Sequence, residues 1–174
     1  WGRDCWCEPG EDNTCGKRYD GEYDHKHTFS RIGYNLKGSD FGAAVGVAQL
    51  ERLEGFIVRR RANWQYLREG LQGAPVEFVE PAPESKPSWF GFAFLTSERN
   101  RLARYLDEKG IGNRPIMGGN LLRQPAYKNI EHRVIGSLDG ADKIHREGIY
   151  IGCFPGITRE MMDYVIETIR GFYA

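Results

Sequence analysis

The chain lacks a net charge, a long apolar run and any internal repeat. Its 24 Lys plus Arg balance 24 Asp plus Glu over 174 residues. No overall field therefore draws it to nucleic acid or to an anionic membrane, and affinity for either would need a local basic patch. The densest basic cluster, Arg59-Arg60-Arg61, falls inside a helical pattern, where a solvated face is the expected role. No stretch approaches the roughly 20 consecutive apolar residues of a membrane-spanning helix. Neither nucleic acid nor a membrane is an expected partner. Low-complexity tracts are absent as well. With 40% hydrophobic residues, the chain has enough apolar material to bury a core of ordinary domain size. The cytoplasm is the expected compartment, and there clustered cysteines bind metals or react instead of forming structural disulfides.

Cysteine is scarce and unevenly spread. Cys153 stands alone between Gly152 and Phe154, in an apolar run where a small core residue is expected. The other three form one array, Cys5-x-Cys7 followed by seven residues and Cys15. Three thiolates from one loop indicate a metal or cluster site, so Cys5, Cys7 and Cys15 are the candidate ligands. Tetrahedral zinc and iron–sulfur clusters are usually held by four protein ligands, which leaves the array one short. It abuts a Trp at position 1, so the fourth ligand is expected upstream, on a longer protein of which this is a fragment. Asp24-His25-Lys26-His27 places two histidines two apart at the start of an expected strand around 27–32. No partners are evident for them, and a structural role is expected. His132 and His145 receive no role.

From Ser39 the pattern turns helical, with Ser39 or Asp40 as cap and apolar residues recurring at three- to four-residue spacing through Leu71. A single helix over 40–71 would be about 48 Å long, longer than the roughly 40 Å diameter of a compact chain of this size. It is expected to bridge two domains or to kink near Gly55, and the bridge is favoured. Such a bridge should leave apolar side chains exposed. A proline-rich loop follows at 81–88. Strands are then expected at 89–95, 111–117 and 150–154, with helices over 98–109, closed by Gly110, and after a Thr158 cap. Met162, Val165, Ile166, Ile169 and Phe172 form the apolar face of the last helix. These elements make an α+β layer.

The polar run Gly33-Tyr34-Asn35-Leu36-Lys37-Gly38-Ser39-Asp40 stands just before a helix start, where free N–H groups favour phosphate; by itself it is equally a turn and a cap. This run, together with the Ala43-Ala44 pair, Gln49-Leu50 and the stretch from Arg60-Arg61 to Tyr66, resembles the nucleotide-sugar aminotransferase family (DegT/DnrJ/EryC/StrS-type) of fold-type I pyridoxal-phosphate enzymes. The resemblance covers nearly the whole chain. Within the family, the cysteine spacing, Arg114, Gly119-Asn120-Leu121-x-Arg123-Gln124-Pro125-Ala126-Tyr127 and Phe154-Pro155-Gly156-Ile157-Thr158 look most like the CDP-4-keto-6-deoxy-glucose 3-dehydrases. The spacing matches the last three of their four cluster cysteines.

The resemblance implies an α/β chain: the end of a large cofactor-binding domain at 1–38, a linking helix at 39–72 and a small C-terminal domain at 73–174. It implies pyridoxamine or pyridoxal 5′-phosphate (PMP, PLP) as cofactor and removal of the C3 hydroxyl of a CDP-linked 4-keto-6-deoxy sugar. A [2Fe–2S] cluster would carry electrons from an NAD(P)H-dependent iron–sulfur flavoprotein reductase, in a homodimer. Asn35 matches the family's contact to the cofactor phosphate of the neighbouring subunit. Lys37, Arg123 and Tyr127 fall where the sugar nucleotide is bound. The catalytic base, histidine in these dehydrases and lysine in transaminases, is expected upstream, so the 174 residues alone should be inactive. The alternatives are a nucleotide-sugar aminotransferase, which leaves the cysteines idle, and a non-enzymatic zinc or iron–sulfur module, which explains only the cysteines.

Overall fold

The computed structural model describes residues 5–7, 13–17, 21–34 and 38–174. After the cysteine segment, a 3-10 turn at His25–His27 leads towards helix α1 (Asp40–Leu50) and helix α2 (Leu53–Gly70). Ser39 caps α1, its hydroxyl accepting from the Gly42 N–H at 3.2 Å. The expected long helix is interrupted at Glu51–Arg52 and not at Gly55. There the Arg52 N–H reaches the Gln49 carbonyl at 3.0 Å, a tightened i to i+3 turn. No residue of α1, the first half of the expected long helix, is buried, and Phe41, Val45, Val47 and Leu50 all lie exposed. The second half packs: Leu67 and Leu71 are fully enclosed.

Four strands follow in the spatial order β1 (Glu77–Phe78), β2 (Gly91–Leu95), β4 (Gly148–Gly152), β3 (Asn113–Pro115), all antiparallel. Phe92 pairs with Ile151 and Phe94 with Ile149, so these four share one face by the two-residue alternation of strands. That face is covered by α2, α3 (Arg99–Glu108) and α5 (Arg159–Tyr173), which contribute Leu67, Leu102, Leu106 and Ile169 to a single core, joined by Leu71 just past the end of α2. Each of these large side chains, once enclosed, contributes about 1.5–3 kcal/mol. Cys153 is buried in the same cluster, and burial pushes its thiol up to about 11.

Local chemistry sets the helix ends. Thr158 accepts from the Met161 N–H at 3.3 Å to open α5. Gly110 closes α3 at φ +72, with the Gly110 N–H on Asp107 at 2.9 Å and the Ile111 N–H on Leu106 at 2.8 Å, a Schellman cap that favours glycine. The Arg59–Arg61 cluster is only in part a solvated face. Arg61 donates from Nε to the Pro87 carbonyl at 3.0 Å and from its terminal nitrogen to Lys86, pinning the proline-rich loop.

Two elements escaped the sequence pattern. Strand β1 is two residues long, and helix α4 (Asp139–Glu147) offers little apolar repeat. The expected strand at 27–32 is instead the end of the 3-10 turn followed by an isolated bridge at Phe29, whose carbonyl accepts from the Ala126 N–H at 3.0 Å. The strand expected at 111–117 shortens to three residues ending in Pro115, which cannot donate to a further ladder and suits the sheet's edge.

Candidate metal and cofactor site

Segment 21–29 is fastened to the α+β layer at both ends. At its start the Tyr23 hydroxyl donates to the Ile116 carbonyl at 2.8 Å, and its ring stacks on His145 with centroids 4.5 Å apart. The buried Arg99 guanidinium donates to the carbonyls of Glu22, at 3.0 Å, and of His145, and lies 5.2 Å from the Tyr23 ring centre. At its end Gln124, 2% exposed, accepts from the Phe29 N–H at 2.9 Å and donates from Nε2 to His27 and Gly118 carbonyls, both at 2.8 Å. Gly119 makes room for the stack. It sits at φ +61, and a Cβ there would fall 2.3 Å from His145 Nδ1. That nitrogen accepts the Asn120 N–H at 3.2 Å, and burial lowers the affinity of His145 for a proton.

Between these fastenings Asp24 caps the 3-10 turn, its carboxylate accepting from the Lys26 N–H at 2.9 Å, and His25 turns inward to the thiols. The ligand atoms of Cys5, Cys7, Cys15 and His25 all lie within 4.8 Å of one another. Cys7 Sγ is 3.3 Å from Cys15 Sγ, and the His25 ring approaches Cys15 at 3.4 Å and Cys7 at 3.7 Å. The Cys7 N–H points to Cys5 Sγ at 3.4 Å. A backbone hydrogen bond at Cys15, above all, pulls the Cys7 thiol down to about 7. It is partly thiolate, the metal-binding form, at neutral pH. Burial pushes Cys15 the other way.

The three sequence-selected cysteines thus do converge. His25, for which a structural role is expected, stands among them. The signal available was a histidine ten residues beyond Cys15, extending the pattern to three cysteines and one histidine; reading 27–32 as a strand concealed it. His145, Arg99 and Gln124 also went unassigned, because nothing in sequence pairs Arg99 and Gln124 with residues 77 to 97 positions away or His145 with the still more distant Tyr23.

The remaining candidates divide. Asn35 and Lys37 lie outside the described residues. Tyr127 lines a cleft of about 320 Å³ with Phe29, Arg31, Tyr34, Leu121 and Gln124. Arg123 is held bidentate by Asp142, Nε at 2.9 Å and its terminal nitrogen at 2.6 Å. With Asn120 donating to the same carboxylate at 2.7 Å, Asp142 is held well below the usual carboxylate range. The cleft offers the Arg31 guanidinium and the phenols of Tyr34 and Tyr127 beside the Phe29 ring, a donor set that fits a phosphate borne on a ring or sugar. The four-donor cluster fits a thiolate-bound metal.

Solved structures with the same fold define the class as fold-type I PLP-dependent enzymes. An Escherichia coli GDP-4-keto-6-deoxy-D-mannose-3-dehydratase with bound hydrated PLP superposes with a TM-score of 0.68 at 26% identity, over 88% of this chain and 44% of that one. DesV of S. venezuelae, in complex with a ketimine intermediate, superposes at 0.69 and 27% identity, over 90% and 42%. Residues 8–170 match the DegT/DnrJ/EryC1/StrS aminotransferase family, and the chain belongs to that family. Among curated relatives, the lipopolysaccharide biosynthesis protein RfbH of Salmonella typhimurium is 46% identical over 99% of this chain and 43% of its own length. The dTDP-4-dehydro-2,6-dideoxy-D-glucose 3-dehydratase of Saccharopolyspora spinosa is also 46% identical, over 100% and 40%. The chain thus spans about two fifths of the length of these relatives.

Proposed function

We propose that these residues are the C-terminal portion of a PLP- or PMP-dependent 3-dehydratase acting on a CDP-linked 4-keto-6-deoxy sugar in deoxysugar and lipopolysaccharide biosynthesis. In this reading Cys5, Cys7 and Cys15 hold an iron–sulfur centre of the [2Fe–2S] type. The observation that carries it is the convergence of those thiols in a chain 46% identical to a named sugar 3-dehydratase. The protein works as a cytoplasmic homodimer, divided into the end of a large domain at 1–38, a linking segment at 39–72 and a small domain at 73–174. Exposed apolar side chains on α1 support a further surface packing there.

The bound cofactor supplies an amine for the C4 carbonyl and an electron sink beside C3. This chain's residues bind and orient. Asn35 holds the cofactor phosphate of the neighbouring subunit, and Lys37, Arg123 and Tyr127 the sugar nucleotide. Asp142 keeps the Arg123 fork ordered until a pyrophosphate competes for it, since guanidinium binds either anion through paired hydrogen bonds. In net terms the C3 hydroxyl leaves as water, and two electrons with two protons replace it by hydrogen. The electrons come from NAD(P)H through an iron–sulfur flavoprotein reductase.

The test is direct. The full-length protein, given PMP, iron, sulfide, the reductase, NADH and CDP-4-keto-6-deoxy-D-glucose, should release a sugar that lacks the C3 oxygen by mass spectrometry and NMR. A product that keeps that oxygen and gains nitrogen at C4 would replace this reading by sugar transamination. The 174 residues alone should turn over nothing under the same conditions.

A further inference from the structure

Between α2 and the proline-rich loop lies a cavity of about 350 Å³. We propose that it binds a nucleoside monophosphate, with the phosphate on Arg60 and Lys86 and the base against Trp64 and Trp89. The proposal goes beyond the sugar dehydration and does not depend on the cysteines.

Three observations carry it. The first is charge. Arg60, Arg61 and Lys86 line the cavity and no described carboxylate does, in a chain whose charges balance overall. Arg61 spends its guanidinium on the Pro87 and Lys86 carbonyls. Arg60 and Lys86 have no ion-pair partner among the described residues. An anion entering here therefore meets two uncommitted cations, and both guanidinium and ammonium bind phosphate.

The second observation is unmet polarity. Arg60 Nε, Trp64 Nε1 and Ser88 Oγ are enclosed without a hydrogen-bond partner, the only side-chain atoms so placed among the described residues. Arg60 and Trp64 line the cavity, and Ser88 stands between Pro87 and Trp89, which line it too. Buried polar atoms are nearly always paired, so a concentration of unpaired ones marks a place that a bound polar group completes. Reaching them requires the loop to part slightly from α2. The third is the apolar wall. The Trp64 and Trp89 rings lie with centroids 5.0 Å apart at 53°, and both residues are partly exposed, which leaves indole surface for a base to stack on. The volume falls at the small end of small-molecule sites, room for a mononucleotide. The loop is also held in place, by the Ser85 N–H on the Ala82 carbonyl at 3.1 Å and by Arg61, so little order has to be created on binding.

The test titrates the full-length protein with cytidine 5′-monophosphate by calorimetry, with inorganic phosphate and cytidine as separate half-probes. Arg123 and Tyr127 do not line the cavity, so Arg123→Gln disturbs the proposed sugar-nucleotide contacts and leaves the cavity whole. In Arg123→Gln, one cytidine monophosphate per chain should still bind and quench tryptophan fluorescence. Adding Lys86→Gln or Arg60→Gln should weaken that binding about 10- to 150-fold, the reach of one hydrogen bond to a charged group, with circular dichroism unchanged. Lys86→Arg should keep it, and Trp89→Leu should weaken it. Lys86 is exposed, so its substitution tests the site without disturbing the fold. Binding abolished by Arg123→Gln and untouched by Lys86→Gln and Arg60→Gln would overturn the proposal and leave the sugar-nucleotide reading standing. Inorganic phosphate or cytidine binding as tightly as the nucleotide would overturn the assignment to a nucleoside phosphate. No binding in wild type would overturn the proposal, while turnover of the CDP-linked sugar decides the dehydratase reading separately.

Discussion

Replacing Gln124 by Met removes the amide while nearly conserving the volume of a side chain that is 2% exposed. Three backbone groups then lose a partner: the Phe29 N–H, at 2.9 Å, and the carbonyls of His27 and Gly118, both at 2.8 Å. Each net hydrogen bond contributes about 0.5–1.5 kcal/mol, and a buried group left unmet costs more. The substitution should therefore cost about 2–4 kcal/mol. The loss is local, because Gln124 ties segment 27–29 to the loop at 118 and is not a member of the hydrophobic core between sheet and helices. The Phe29 amide should exchange with solvent deuterium roughly 30- to 1,000-fold faster, at tenfold per 1.4 kcal/mol, while amides of β2 and β4 keep most of their protection. Gln124→Glu should behave similarly, since a carboxylate can still accept from Phe29 but cannot donate to the two carbonyls. Unchanged exchange at Phe29, or equal loss of protection across the sheet, would refute the view that Gln124 fastens the segment bearing His25.

Further outcomes follow from the same geometry. Phe94→Ala, at a fully buried position between sheet and helices, should cost about 3–5 kcal/mol in urea unfolding. Gly119→Ala should loosen the Tyr23–His145 stack, because its Cβ would meet His145 Nδ1 at 2.3 Å at a backbone φ of +61; the loss is read as faster exchange at Asn120. Burial lowers the proton affinity of His145 in the fold, so the unfolded chain binds that proton more readily and stability must rise with pH through this group. Its contribution is complete above the unfolded value near 6.5 and is lost as the pH falls from there through the folded value. Unfolding midpoints between pH 7 and 5 should decline, and His145→Phe, which keeps the stacked ring, should flatten that decline. Replacing Phe41 and Leu50 on the exposed α1 by Ser and Gln should reduce self-association in light scattering without lowering the unfolding midpoint.

Much of the layer was legible because its signals are local. Thr158 caps the helix it was expected to cap, Gly110 closes α3, and the apolar face of α5 delivers Met162 and Ile169 to the core. Ser39 opens α1 for the same reason: a hydroxyl within three residues of a free N–H needs no distant partner. The missed elements carry no such mark. Strand β1 exists only because Glu77 and Phe78 find Leu95 and Phe94 beside them. Helix α4 carries few apolar residues to set a period, and its His145 is buried by the Tyr23 ring, far away in sequence.

The site divides along the same line. The sequence alone determined that three thiols share one short segment, at most about 35 Å long when extended, and left their convergence to the fold. It also determined the family, through motifs spread along nearly its whole length. Only the tertiary structure decided that His25 meets those thiols, that Arg123 rests on Asp142 and that Gln124 holds the segment between them. Each depends on side chains brought together by the packing of sheet and helices, and a contact across tens of residues leaves no periodicity for a single sequence to show.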